Sequence, residues 1–257
     1  MINDYPESLV ALQVHTAYYT TAWGTARKSF FSVGGIPDTY FDAVLQCLGA
    51  YQNDDQMYNW YNSKRVARLA VPTDVTIEIY GEPMGKGEGK DSLPTYLITV
   101  YLGVEEGGEA KTVRLHIIDA LFDYPYNTDG RYNNCVRNGY THNDIDLVPG
   151  ETVEITQEIT FRAESEANPD NIRIIAFAEE PVTHKPGNVY QSEMATWPLT
   201  PPPSCPEDVN ADEMVDIDDL FDILAHWGET GGTYDVNDDG MVDIDDVFAV
   251  LAAWGPC

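Results

Sequence analysis

The stretch Asp235–Asp246, DVNDDGMVDIDD, gathers six carboxylates and one Asn into twelve residues with no cation among them. Such a run repels itself unless a positive charge sits inside it. With Asp235 as position 1, side-chain oxygens recur at positions 3 (Asn237), 5 (Asp239), 9 (Asp243) and 12 (Asp246). Gly240 occupies position 6, where a sharp turn needs a residue free to adopt positive φ, and Met241 at position 7 offers its backbone carbonyl. Ca²⁺ is a hard cation taking about six to eight oxygens, and this spacing is how a short loop supplies them. The loop ends in Asp where a bidentate Glu is usual, so the shorter side chain must draw the following segment towards the ion.

That following segment is helical by pattern, and it occurs twice. DVNADEMVDIDDLFDILAHWG (208–228) and DVNDDGMVDIDDVFAVLAAWG (235–255) agree at 15 of 21 positions, 27 residues apart, so the unit is a tandem duplication. Apolar residues recur at helical spacing after each loop: Leu220, Phe221, Leu224 and Trp227, then Val247, Phe248, Leu251 and Trp254. The expectation is two loop–helix units whose apolar stripes bury against each other.

Two EF-hand-like loops, each with one following helix and Asp at position 12, resemble the dockerin module over about residues 205–257. The resemblance implies a small all-α module that folds around two Ca²⁺ and plugs into a cohesin-like protein or cell-surface scaffold. Carried across, the ligands are Asp208, Asn210, Asp212, the Met214 carbonyl, Asp216 through water and Asp219. In the second copy they are Asp235, Asn237, Asp239, the Met241 carbonyl, Asp243 and Asp246. Positions 10 and 11 (Ile217, Asp218, Ile244, Asp245) are implied to meet the partner, with the Asp245 side chain turned away from the ion. Position 6 of the first loop is Glu213, and a non-Gly residue at positive φ costs on the order of 1 kcal/mol, so the first site is expected to be the weaker.

The formal net charge is −29, and residues 205–257 hold 15 acids and no Lys or Arg. Nucleic acid and anionic membrane are poor partners for such a surface, and no stretch reaches the roughly 20 apolar residues of a membrane span. Calcium use points to an extracellular or cell-surface setting, although the first residues do not resemble a signal peptide. Four cysteines allow three pairings. Cys205 and Cys257 bracket the acidic module, and joining them would stabilise a small unit by roughly 3–4 kcal/mol. Cys47 lies in an apolar run and Cys135 in a polar loop; they are free or paired with each other.

The elements upstream divide in composition. WPLTPPPSCP (197–206) has five prolines in ten residues and reads as a stiff spacer, with 199–204 as the linker proper. Residues 72–198 contain VTIEIY, TYLITVYLGV, KTVRLHIIDALF, ETVEITQEITF and NIRIIAFAEE between Gly, Pro and Asp clusters, which predicts an antiparallel β-sandwich. Residues 1–71 read as a strand (9–15), a short helix (26–33), a strand pair (37–44 and 45–51) and an amphipathic helix (54–71). ARKSFFSVGGIPDTYFDA resembles the thioredoxin-family stretch in which Pro37 is the cis-proline opening the next strand. Together, residues 9–197 resemble Omp28-type outer-membrane or secreted proteins, a thioredoxin-like domain followed by an all-β domain. The fold class expected is thus multidomain α+β: a partial thioredoxin-like domain, a sandwich and a dockerin-like module.

Relative to that resemblance the first strand and first helix are missing, which reads as truncation upstream and would leave an open sheet edge. No C-x-x-C is present, so no low-pKa thiol at a helix N-terminus is available for disulfide exchange. The five histidines lack metal-ligand spacing, and hydrolase and nucleotide motifs are absent. Glu179 and Glu180, neighbours on a strand, read as solvated. The aromatic stretch HTAYYTTAWG (15–24) reads as packing rather than as a sugar or peptide groove. The function expected is a secreted, non-enzymatic protein anchored through its calcium module. The alternatives are a thiol-disulfide oxidoreductase with its C-x-x-C upstream, and a sandwich that binds carbohydrate or peptide.

Overall fold

The computed structural model describes all residues except 1–3, 5–8, 16–19, 87–93, 126–130, 203–204, 211, 213, 238 and 257. The chain forms two compact units, Met1–Pro201 and Pro202–Cys257. It is mixed α and β, and its named strand pairs are antiparallel.

The first unit opens with helix α1 (Ala22–Phe31), the hairpin β1 (Asp38–Phe41) and β2 (Leu45–Leu48), and helix α2 (Asp54–Leu69). Strands β3 (Val75–Lys86), β4 (Pro94–Val104) and β5 (Lys111–Leu121) follow, then the short pair β6 (Tyr124–Pro125) and β7 (Arg131–Tyr132). Next come β8 (Cys135–Leu147), β9 (Thr152–Thr160), the single turn α3 (Ala163–Glu166), β10 (Ile172–Glu179) and β11 (Val189–Thr196). Two sheets, ordered β3-β4-β9 and β11-β10-β5-β8, enclose one core. Ile77, Ile98, Val100 and Leu102 fill it from the first sheet, and Leu115, Ile117, Ile174 and Ala176 from the second.

The two sheets differ in burial, and their sequences say why. The outer sheet is covered on one side, so β9 alternates between exposed and covered residues as TVEITQEIT implies. The four-stranded sheet is covered on both: its second face, through Ile118, Ala120, Val136, Ile175 and Phe177, packs against Trp23 of α1 and against Val10, Leu12 and Val14. A strand buried on both faces has no polar side to show, which accounts for the unbroken apolar run Ile174–Ala178 in β10, whereas β5 buries His116 and Asp119 among its apolar residues.

Several expectations are corrected. Residues 9–15 are not a buried strand; this half-buried stretch makes a single bridge, Gln13 to Cys135. The first helix begins four residues before Ala26, because the Thr21 hydroxyl accepts from the Gly24 N–H at 2.9 Å and caps it. Cys135 is not in a loop but begins β8 and is fully buried. Strands β8 and β11 carry too many polar residues to read as strands. The pairing of β8 with β5 also shifts register, Asp119 facing Asn138 and Ala120 facing Val136, which breaks the alternation a sequence reading relies on. Gly139 is needed there, since a Cβ would lie 2.5 Å from the Trp23 ring.

The second unit contains β12 (Met214–Val215), α4 (Ile217–Ala225), α5 (Ile244–Ala252) and β13 (Gly255–Pro256). Its core is Val215, Ile223, Val236, Val242 and Val250, with Leu220 and Val247 packed against it. The helix pair therefore meets through Leu220 and Ile223 and their repeats Val247 and Val250. Phe221, Leu224, Trp227, Phe248, Leu251 and Trp254, expected in that contact, are exposed. The reason is angular: steps of 100° place Phe221 and Leu224 on a different side of the helix from Leu220 and Ile223.

Candidate metal loops and buried carboxylates

Each loop of the second unit is ordered by its own acids. In the first, the Asp212 N–H donates to Asp208 Oδ1 (3.1 Å) and Asn210 Oδ1 (2.9 Å), and the Met214 N–H donates to Asp212 Oδ1 (3.1 Å). The second repeats this: the Asp239 N–H donates to Asp235 Oδ1 (3.1 Å) and Asn237 Oδ1 (2.9 Å), and the Met241 N–H to Asp239 Oδ1 (3.1 Å). Gly240 sits at φ +100° and donates its N–H to Asp235 Oδ2 at 2.9 Å. The position-6 residue of the first loop, Glu213, lies outside the described residues.

The position-12 acids close each loop. Asp219 accepts from the Val209 and Asn210 N–H groups on one oxygen and from the Asp216 N–H on the other. Asp246 likewise accepts from the Asn237 N–H at 3.2 Å and the Asp243 N–H at 2.7 Å. Asp216 and Asp243, at position 9, are the N-caps of α4 and α5 and complete reciprocal capping boxes with Asp219 and Asp246. Loop and helix are thereby one construction.

Asp239, Asp243 and Asp245 offer oxygens within 4.8 Å of one another. Asp245, expected to turn away from the ion, has a carboxylate oxygen in this group, and its N–H donates to Asp243 Oδ1 at 2.9 Å in the first turn of the helix. Asp218 bonds in the same way to Asp216 Oδ1, at 2.8 Å. Ile217 and Ile244 are exposed.

The donor set fits a hard divalent cation. It is all oxygen, a carboxylate oxygen that accepts one N–H keeps capacity for another partner, and Asp219, Asp235 and Asp246 are buried in a unit with no Lys or Arg. Buried charge is normally paired or metal-bound. Asp208, Asn210, Asp212, Asp216 and the Met214 carbonyl would hold one ion with Asp219; Asp235, Asn237, Asp239, Asp243 and the Met241 carbonyl would hold another with Asp246. Cys205 is disulfide-bonded, whereas Cys47 and Cys135 are free thiols; Cys257 lies outside the described residues.

The first unit buries acids too. Glu179, read as solvated, is fully buried at the end of β10, where Arg27 of α1 grips it with two parallel bonds of 2.7 and 2.9 Å. His116 Nε2 lies 2.9 Å from the same carboxylate, and its Nδ1 faces the Trp23 indole N–H at 3.0 Å. An indole nitrogen only donates, so Nδ1 bears no proton and the Nε2–H donates to Glu179. Burial pushes His116 below its ordinary pKa despite Glu179. For Glu179, burial would raise the carboxyl, but the His116 and Arg27 hydrogen bonds and charge outweigh it and hold it below the usual range. No local pattern reveals this cluster, because Arg27 and Glu179 are 152 residues apart.

Asp119 of β5 is nearly fully buried and neither carboxylate oxygen has a hydrogen-bond partner. Burial pushes its pKa up to about 7 against the attraction of Arg137 and Arg162. Cys135 Sγ lies 3.1 Å from His15 Nε2, and burial raises both free thiols, Cys47 and Cys135. The Ile36–Pro37 peptide is cis.

No family model and no curated protein matches the chain. Among solved structures, HBP35 of Porphyromonas gingivalis is 10% identical, with a TM-score of 0.43 over 70% of this chain and 59% of that one. A structural-genomics target, SoR45, is also 10% identical, with a TM-score of 0.30 over 49% of this chain and 88% of that one. The chain thus spans about three-fifths of the length of HBP35. Superpositions this loose carry no functional argument. No described helix is long and apolar enough to cross a membrane.

Proposed function

We propose that residues 205–257 are a dockerin-like module that binds two Ca²⁺ and anchors a secreted, non-enzymatic protein to a cohesin-like receptor or cell-surface scaffold. The observation that carries this reading is the pair of buried position-12 carboxylates, Asp219 and Asp246, in a unit without Lys or Arg. Two divalent cations would offset four of its fifteen negative charges from inside the loops. The disulfide at Cys205 accords with an oxidising, extracellular setting.

In the first unit we read α1, the β1–β2 hairpin and α2 as the latter half of a thioredoxin-like domain, supported by element order, with the two-sheet body as the sandwich of the Omp28-type resemblance. Both described thiols are buried and raised in pKa. That is the wrong direction for an attacking thiolate, so neither Cys47 nor Cys135 is read as a redox nucleophile.

The experiment is chelation of the whole chain followed by circular dichroism and tryptophan fluorescence. Metal-dependent folding predicts that α4 and α5 melt in chelator, with a change at Trp227 and Trp254, and re-form with Ca²⁺. Spectra indifferent to chelator would remove the calcium reading.

A further inference from the structure

Each helix of the second unit carries an apolar stripe that the unit itself does not cover. On α4 it is Ile217, Phe221 and Leu224; on α5 it is Ile244, Phe248 and Leu251, the same three repeat positions. Their spacing is i, i+4, i+7, which presents anchors along one side of a helix. The two phenylalanines are 57% and 58% exposed, although α4 and α5 already have a core in Ile223 and Val250 that leaves these residues out. An isolated exposed Leu needs no explanation, but six large apolar residues repeated in register on both helices do.

The charge around the stripes selects the occupant. The unit has 15 acids and no Lys or Arg, and the chain as a whole carries −29. A second copy brings the same charge to the contact and is repelled, as is an anionic membrane. A neutral apolar surface would cover the stripes but leave the flanking Asp218 and Asp222 facing no counter-charge. We infer that the two stripes dock on a separate protein whose contact surface is apolar at its centre and ringed by Lys and Arg. The apolar residues supply the anchoring and the acids supply steering and register. The inference rests on reading residues 205–257 as a docking module, and it adds the chemistry of the partner.

The test uses the full chain in Ca²⁺ with two synthetic amphipathic helical peptides as probes, one of Leu and Lys and one of Leu and Glu. Phosphatidylcholine and anionic vesicles serve as further probes. The Leu/Lys peptide should bind, and its affinity should fall steeply between about 50 and 500 mM salt. Replacing both anchors, Phe221→Ser with Phe248→Ser, should weaken it by roughly tenfold or more while Ca²⁺ binding measured on the same variant is unchanged. Three results would overturn the inference: equal binding of the Leu/Glu peptide, Leu/Lys binding indifferent to the Phe replacements, or self-association or vesicle binding through the stripes. Loss of Ca²⁺ binding in the wild-type chain would instead remove the calcium reading, and the peptide result would still report on the stripes.

Discussion

Buried acids among the described residues are kept by three different means. Glu179 is held by a guanidinium and an imidazole. Asp246 and its repeat Asp219 are held by backbone N–H groups, with no Lys or Arg in their unit. Asp119 is held by nothing within hydrogen-bond reach. Burial alone is therefore not a sign of function; what a buried carboxylate still lacks is. Glu179 lacks nothing and reads as a staple between α1 and the sheet. Asp119 lacks a hydrogen-bond partner, and burial raises its carboxyl to about 7. The loop carboxylates have their hydrogen bonds but no counter-charge, and that deficit is what a divalent cation would remove.

The largest effect should come from breaking the staple. Arg27→Ala would leave Glu179 buried and uncompensated, and losing one partner of such a pair costs roughly 3–5 kcal/mol. Urea denaturation of the first unit at pH 7 should show it, and a loss below about 1 kcal/mol, the level of an exposed pair, would mean the pair is effectively solvated. Replacing Arg27 and Glu179 together by apolar residues should cost less than Arg27→Ala alone.

A smaller effect, opposite in sign, is expected at Asp119. Its folded pKa is raised to about 7, so between about pH 4 and 7 the folded chain holds a proton the unfolded chain has lost. Stability attributable to this group is complete below the unfolded pKa and declines as pH rises through the folded one. Asp119→Asn should therefore stabilise the first unit by roughly 1–3 kcal/mol at pH 8 and hardly at all at pH 4. Glu179 and His116 are shifted the other way. Their contribution is present above their unfolded pKa values and lost on acidification, so the variant should lose stability steadily from pH 8 to 4, whereas wild type should show a maximum between. A flat difference between the two chains across that range would mean Asp119 does not carry the proton.

What the sequence revealed and what it hid divide along the same lines. The capped loop–helix units, the duplication, the β1–β2 hairpin, α2 and five long strands were legible because their cues are local: alternation, helical spacing, a Gly at a turn. Three things depend on contacts far apart in the chain. Strand β8 looks polar, and Trp23, which covers it at Gly139, is distant in the chain. Glu179 looks solvated because Arg27 is distant. The outward stripes look like core because apolar spacing announces a face without saying which side it takes; that was decided by Ile223 and Val250.

The smallest effect sharpens the loop assignment. Asp246→Ala removes the acid that closes the second loop and should abolish that site. Asp245→Ala removes an acid that groups with Asp239 and Asp243 and should weaken the same site by a smaller factor. Equal loss from both replacements would show that Asp245 and Asp246 have interchangeable roles, contrary to the geometry.

The most direct test of the account is titration calorimetry of the metal-stripped full chain with Ca²⁺, read for stoichiometry, with Asp219→Ala and Asp246→Ala run beside it. The account predicts two ions per chain in the wild type and one in each variant. No heat of binding in the wild type, or two ions retained in either variant, would contradict it.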